Sequence, residues 1–299
     1  MGEPDASVTI AARGPFSLAA SARFLEGFDP AAHDGASADA HLHLAFPVEG
    51  NWNTVGACVR ENGHGQVVAD LDGDTTVDPD AVHAQLARIL SLDIDGTGFP
   101  DVGDRDTVIA DLQARYPGLR PVCFYSPYEA ACWAIIGHRI RITQAAAIKQ
   151  RIAQHHGTTV AIHGDHVAAF PAPGDLRGIA GQLDLPDVKR ERLTAIAEAA
   201  LDGRLDGARL RSQPADDALG QLRQLPGIGP FSAELTLLRG AGHPDHTPTH
   251  ERRLLQATAT LYDIDDPSID DLAQRAHAWR PFRTWCAVLI RTWFADQRR

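Results

Sequence analysis

The chain has 299 residues, 44% of them hydrophobic and 22% charged, with a formal net charge of −11. This is the composition of a globular protein with room for two cores; no apolar run approaches the roughly 20 residues that span a bilayer. The acidic start, Met1-Gly2-Glu3-Pro4-Asp5, lacks a secretory apolar segment, so cytoplasmic residence is expected, nucleoid-associated if the source is bacterial. The acidic balance excludes a broadly sticky nucleic-acid binder, because non-specific affinity comes from Lys and Arg displacing phosphate counterions, so any such contact must be local.

Strand signals come first along the chain: Val8-Thr9-Ile10, the alternation His41 to Phe46, and two runs flanking Asn62-Gly63, a hairpin turn pair. Helical patterns follow over Asp80 to Leu92 and Arg105 to Tyr116, giving an α+β amino-terminal domain with an antiparallel sheet over residues 1–115. From Ser126 the pattern turns helical, predicting an all-helical domain over 116–299. Ser126-Pro127-Tyr128-Glu129 reads as a capping box with proline at the first helical position. Gly137 interrupts the apolar helix it opens, which leaves His138 and Arg139 at an exposed break. Further helices are expected over 186–202, 215–224, 230–239, 249–262, 269–278 and 281–294. Cys58, Cys123, Cys132 and Cys286 are widely spaced without a CxxC pair and read as buried apolar residues, neither disulfide frame nor metal cage.

Leu225-Pro226-Gly227-Ile228-Gly229-Pro230-Phe231-Ser232-Ala233 carries the most specific signal. Leu219 and Leu222 before it, and Leu235 and Leu238 after it, give two short helices facing apolar stripes. Glycines in the connecting turn permit positive φ and close backbone approach by a ligand, and Pro230 opens a helix whose free N–H groups favour an anion. A DNA phosphate, gripped without reading sequence, fits that description. The candidate DNA-contacting set is Gly227, Ile228, Gly229, Phe231 and Ser232.

Four stretches in order give the chain a family resemblance. They are Arg115-Tyr116-Pro117-Gly118-Leu119-Arg120 followed by the helix ending at Gly137; Phe170-Pro171-Ala172-Pro173 with Lys189-Arg190 heading a long helix; the hairpin with Leu238-Arg239-Gly240; and Trp279-Arg280-Pro281-Phe282-Arg283-Thr284-Trp285. Together they resemble the DNA-3-methyladenine glycosylase II family of helix-hairpin-helix DNA glycosylases, over roughly residues 110–299. The resemblance implies double-stranded DNA with damaged bases as partner, base flipping, a monomer, no cofactor and no metal. It places Arg139 where a side chain fills the gap left by the flipped nucleotide. It also implies a base pocket at Phe231, Leu235, Trp279 and Arg291, with aromatics lacking at Leu235 and Arg291.

The resemblance further implies a catalytic aspartate opening the helix after Arg-Gly, and here the chain departs from the pattern. Asp245-His246-Thr247-Pro248-Thr249-His250-Glu251-Arg252-Arg253 supplies no aspartate in either plausible register. Glu251 is the nearest replacement by position, with Asp245 and His250 as further candidates; each also reads plainly as a helix-dipole partner or a turn residue. His243, His246 and His250 with Asp245 are less convincing as a metal cluster, because proline and threonine turns separate them. The iron–sulfur cysteine pattern of endonuclease III relatives is absent. Two function classes remain: a monofunctional glycosylase removing alkylated purines, and a non-catalytic DNA-lesion or abasic-site binding protein.

Overall fold

A computed structural model describes residues 6–27, 41–62, 65–73 and 77–297. Its strands are β1 (Ala6–Ala11), β2 (Leu42–Pro47), β3 (Thr54–Glu61), β4 (Gln66–Gly73), β5 (Thr159–Ile162) and β6 (Asp165–Ala168). The helices are α1 (Leu18–Glu26), α2 (Pro79–Ile89), α3 (Asp101–Arg105), α4 (Thr107–Arg115), α5 (Pro127–Gly137), α6 (Ile142–His156) and α7 (Pro173–Ile179). They continue with α8 (Asp187–Leu201), α9 (Gly207–Ser212), α10 (Ala215–Leu222), α11 (Pro230–Leu235), α12 (Arg252–Tyr262), α13 (Ile269–Ala276) and α14 (Arg283–Asp296).

The first four strands form one antiparallel sheet in the order β1-β4-β3-β2, and β5 and β6 form a separate hairpin. Period-two alternation sorts the faces. Leu42, Leu44 and Phe46, with Ala57, Val59, Val67 and Ala69, share one core with Leu18 and Leu25 of α1 and Leu86 and Ile89 of α2. The opposite face presents Ala45 and Cys58, against which Val160 and Ile162 of β5 pack. Gly56 is needed there, because a Cβ would lie 2.7 Å from Val160 Cγ1. The Asn62 turn is one residue longer than a two-residue Asn-Gly hairpin. Asn62 N–H donates to the Gln66 carbonyl at 2.8 Å, leaving residues 63–65 between, and Gly65 (φ +71) adopts the left-handed conformation; Gly63 lies outside the described residues.

The helices build two further cores. One surrounds α5, which is apolar on all sides and buried from Pro127 to Ile136, with α6, α8, α10 and α11 around it. Ser126 Oγ accepts from Glu129 N–H at 3.1 Å, as a capping residue should, but the Glu129 carboxylate turns to Lys149 Nζ at 2.6 Å instead of closing the box. In the other, Ile109 and Leu112 of α4 and Val102 of α3 pack with Leu254, Leu272, Trp285 and Ile290 of α12–α14. Residues 101–115 thus share their core with the carboxyl-terminal helices and not with the sheet, while the β5–β6 hairpin lies on the sheet.

Several expected helices differ at their ends, and two of these differences bear on the site. The 230–239 helix is α-helical only to Leu235 and continues as a π-turn over Thr236–Gly240, with Ala241 N–H donating to Thr236 O at 2.9 Å. Gly240 lets α5 sit directly on that turn; a Cβ would lie 2.7 Å from Pro127 Cα. Helix α12 begins at Arg252 and not at Thr249, because a side chain takes the N–H groups of residues 249 and 250.

Candidate nucleic-acid interface and active site

Leu222, Leu225 and Ile228 are buried together with Ala233, which packs α10 and α11 into one core across the turn that joins them. Gly227 has φ +83, and a Cβ there would lie 2.5 Å from Arg192 Cδ and 2.8 Å from Ile135 Cδ1. Gly229 is different: its φ is −85, and a Cβ would meet nothing within 4 Å. Its backbone borders open space at the start of α11, where a phosphate oxygen could approach the amides. Among the expected contact residues, Phe231 is 47% exposed, whereas the side chains of Ile228 and Ser232 point inward. Ile228 anchors the turn, and Ser232 is buried, 4% exposed.

Arg139 lies in the break after α5, exposed and at φ +58, a strained conformation for a non-glycine residue. Partial burial, then the charges of Arg192, Lys189 and Arg139, hold the His138 pKa below the ordinary histidine value. Arg139, Lys189 and Arg192 thus gather around His138, a local group of cations in a protein that is acidic overall. Lys189 contributes from inside: it is buried, and its Nζ donates to the Ile136 carbonyl at 2.7 Å, closing the α5 carboxyl end.

The carboxylate that organises the region is Glu234, 2% exposed on α11. It accepts from Thr249 N–H at 3.1 Å, Thr249 Oγ1 at 2.9 Å and His250 N–H at 3.0 Å, and it meets His250 Nδ1 at 2.8 Å. The hairpin helix therefore fixes the two residues before Glu251, which takes the N-cap position of α12. Glu251 is partly exposed and pairs with Arg291 of α14. Arg239, from the π-turn, senses the same carboxylate: burial lowers its pKa, and the charges of Cys123 and Glu251 oppose that shift. Glu251 thus sits at the positive end of a helix dipole where the hairpin core and the carboxyl-terminal core meet.

Asp245 and His250 are placed otherwise. Asp245 is clamped by Arg283, with Oδ1 2.7 Å from Nε and Oδ2 3.1 Å from an Nη, and it also accepts from Arg283 N–H at 3.3 Å. A carboxylate tied bidentately to the first residue of α14 serves as a loop anchor. The His250 ring is held against Glu234. Burial lowers the pKa values of His243 and His246 in the same loop, favouring neutral rings.

The expected base pocket needs one correction. Trp279 is wholly buried in the carboxyl-terminal core, and its indole N–H donates to Asp106 Oδ2 at 2.9 Å, so it has no surface to offer a flipped base. Phe231 and the half-buried Leu235 lie one helical turn apart on α11 and share a face. Arg291 is engaged by Glu251, and its guanidinium lies 5.8 Å from the Phe294 ring centroid. The residue missed by sequence reasoning is Glu234. Its signal was present: it is the lone acid between Pro230 and Gly240, in a helix of otherwise apolar and small residues.

The architecture is α+β, an amino-terminal antiparallel sheet followed by a mainly helical part, which is not all-helical as expected because it carries the β5–β6 hairpin. Its full extent is matched by the solved structure of a 3-methyladenine DNA-glycosylase from Archaeoglobus fulgidus, with a TM-score of 0.78 at 19% identity over 96% of this chain and 98% of that one. In sequence, the chain is 24% identical over 207 residues to a DNA-3-methyladenine glycosylase of Bacillus subtilis, covering 67% of this chain and 68% of that protein. It is 27% identical over 191 residues to DNA-3-methyladenine glycosylase 2 of Escherichia coli, covering 62% of this chain and 63% of that protein. No protein-family model matches the chain. In sequence the chain is thus similar to DNA-3-methyladenine glycosylases, and in fold to one of solved structure.

Proposed function

We propose that the protein is a DNA-repair glycosylase that hydrolyses the N-glycosidic bond of alkylated purines in duplex DNA, with Glu251 as its catalytic carboxylate. The observation that carries this reading is the placement of Glu251: a partly exposed carboxylate opening α12, paired with Arg291 and preceded by two residues that Glu234 of the hairpin helix holds. The hairpin amides at Gly229 and the cations around Arg139 hold the duplex, and Arg139 occupies the space of the extruded nucleotide, its planar guanidinium stacking on the bases. Phe231 and Leu235 receive the base.

An alkylated purine is cationic and leaves with the bonding pair without needing a proton. Positive charge then develops on the sugar, and a nearby carboxylate stabilises it. Glu251 next accepts a proton from water as the water oxygen bonds C1′, giving free base and an abasic sugar. A lyase step would require an amine nucleophile at C1′. The chain's lysines are engaged elsewhere, Lys149 with Glu129 and Lys189 with the Ile136 carbonyl, which supports a monofunctional enzyme.

Single-turnover release of 3-methyladenine from methylated duplex DNA tests the proposal. Glu251→Gln is expected to slow release by about 10²–10³-fold, the usual cost of losing one preorganised electrostatic group. Asp245→Asn, once folded, stays within a few-fold of wild type. Full activity in Glu251→Gln would overturn the assignment of Glu251. Absence of release from the wild type, with tight binding to an abasic duplex, would replace the enzyme by a lesion-binding protein.

A further inference from the structure

Four potential metal ligands converge far from the hairpin, on the face of the amino-terminal sheet covered by β5–β6. His41 and His43 are two residues apart on or beside β2 and so point to the same face. Cys58 of β3 is the direct cross-strand partner of His43. His163 comes from the turn of the β5–β6 hairpin, where His163 (φ +48) and Gly164 (φ +94) form a tight left-handed reversal over the sheet. One donor atom from each of these four side chains lies within 4.8 Å of the other three.

The state of His43 provides a second, independent observation. Its Nδ1 lies 2.8 Å from Asp165 Oδ2, so the proton sits on Nδ1 and the lone pair on Nε2. That Nε2 is buried and has no hydrogen-bond partner among the described residues. A buried acceptor left unpaired costs free energy unless something occupies it. A carboxylate orienting an imidazole through the far nitrogen is the usual support of a metal-bound histidine. Cys58 Sγ, itself buried, lies 3.8 Å from His41 Nδ1.

We propose that His41, His43, Cys58 and His163 form a structural zinc-class site that fastens the β5–β6 hairpin to the amino-terminal sheet. Three imidazoles and one thiolate suit a borderline-soft divalent cation in tetrahedral coordination. With bonds of about 2.0–2.3 Å the ligand atoms of such a site stand about 3.3–3.8 Å apart, so atoms up to 4.8 Å apart must close in by about 1–1.5 Å. His163 is exposed on a turn, its ring edge-on to that of His43 with centroids 5.6 Å apart, and makes that adjustment by a side-chain movement. A full protein ligand set leaves no open position for substrate, so the role is to hold two chain segments more than one hundred residues apart. Binding replaces the thiol proton of Cys58 with the metal and releases that proton to solvent.

The test is metal content of the full-length protein, purified under reducing conditions without a metal-affinity tag and incubated with a small excess of zinc. The expected result is about one zinc per chain, falling to about a tenth or less in His163→Ala and Cys58→Ser. His166→Ala, on the same hairpin but outside the cluster, should keep the metal. Cobalt in place of zinc should show intense tetrahedral d–d bands and a sulfur-to-cobalt charge-transfer band that Cys58→Ser removes. Circular dichroism of His163→Ala, a turn variant, establishes that loss of metal is not loss of fold. Wild-type protein that takes up no zinc, or equal uptake in His163→Ala and Cys58→Ser, would overturn the site. None of these readouts depends on base release, so the result stands or falls apart from Glu251.

Discussion

At the scale of single residues, the reading turns on which charged groups are already committed. Asp245 and Glu251 look equivalent along the sequence and are about equally exposed, 22% and 27%, yet Asp245 is clamped through both oxygens by Arg283 while Glu251 meets Arg291 through Oε1. Arg139 invites a separable test because its backbone and its side chain serve different ends. Its φ of +58 is strained for arginine and natural for glycine. Arg139→Gly should therefore leave the melting temperature unchanged or slightly raised, while binding to an abasic-site duplex weakens several-fold. Undiminished affinity in that variant would remove Arg139 from the interface.

At the scale of elements, the two hairpin glycines should behave oppositely. Gly227→Ala forces an L side chain to a positive φ and into Arg192 and Ile135, so it should cost about 2 kcal/mol or more of stability. Gly229→Ala meets nothing in the fold and has an ordinary φ, so stability should change by less than about 0.5 kcal/mol. Yet the new methyl group would stand where the phosphate approaches, and DNA affinity should fall. Denaturant titration and duplex-binding isotherms on both variants check the pair; a Gly229→Ala protein that binds duplex normally would contradict phosphate contact at this turn. The caps, the prolines at first helical positions and the apolar stripes that placed α5, α8, α10 and α11 were legible because they are local. The π-turn after α11 and the late start of α12 were not, because both follow from packing against α5 and from the Glu234 carboxylate.

At the scale of the molecule, Arg120 joins the parts. It is 1% exposed, and its guanidinium donates to the carbonyls of Pro15 at 2.9 Å, Ser91 at 2.9 Å, Ile94 at 3.2 Å and Arg13, while lying 5.1 Å from the Trp285 ring centroid. Burial pushes its pKa down to about 10, so it remains charged at neutral pH. Arg120→Met would keep much of the volume but leave several buried carbonyls unpaired, with an expected loss of about 3–5 kcal/mol. Arg120→Lys should recover only part of this, since an ammonium cannot span the same carbonyls. Chemical denaturation measures both; a loss below about 1 kcal/mol in Arg120→Met would refute the role.

The sequence by itself determined the α+β class, the hairpin, most helices and the resemblance that fixed where to look, because those depend on periodicity, capping and turn chemistry within a few residues. Only the tertiary structure decided which groups face one another. It buried Trp279, gave Asp245 to Arg283, and set Glu251 through a carboxylate seventeen residues earlier. It also brought His163 to His41, His43 and Cys58, four residues that look unrelated along the chain. The physical reason is the same in each case: a side chain's chemistry depends on neighbours supplied by other elements, and nothing in its own stretch of chain names them.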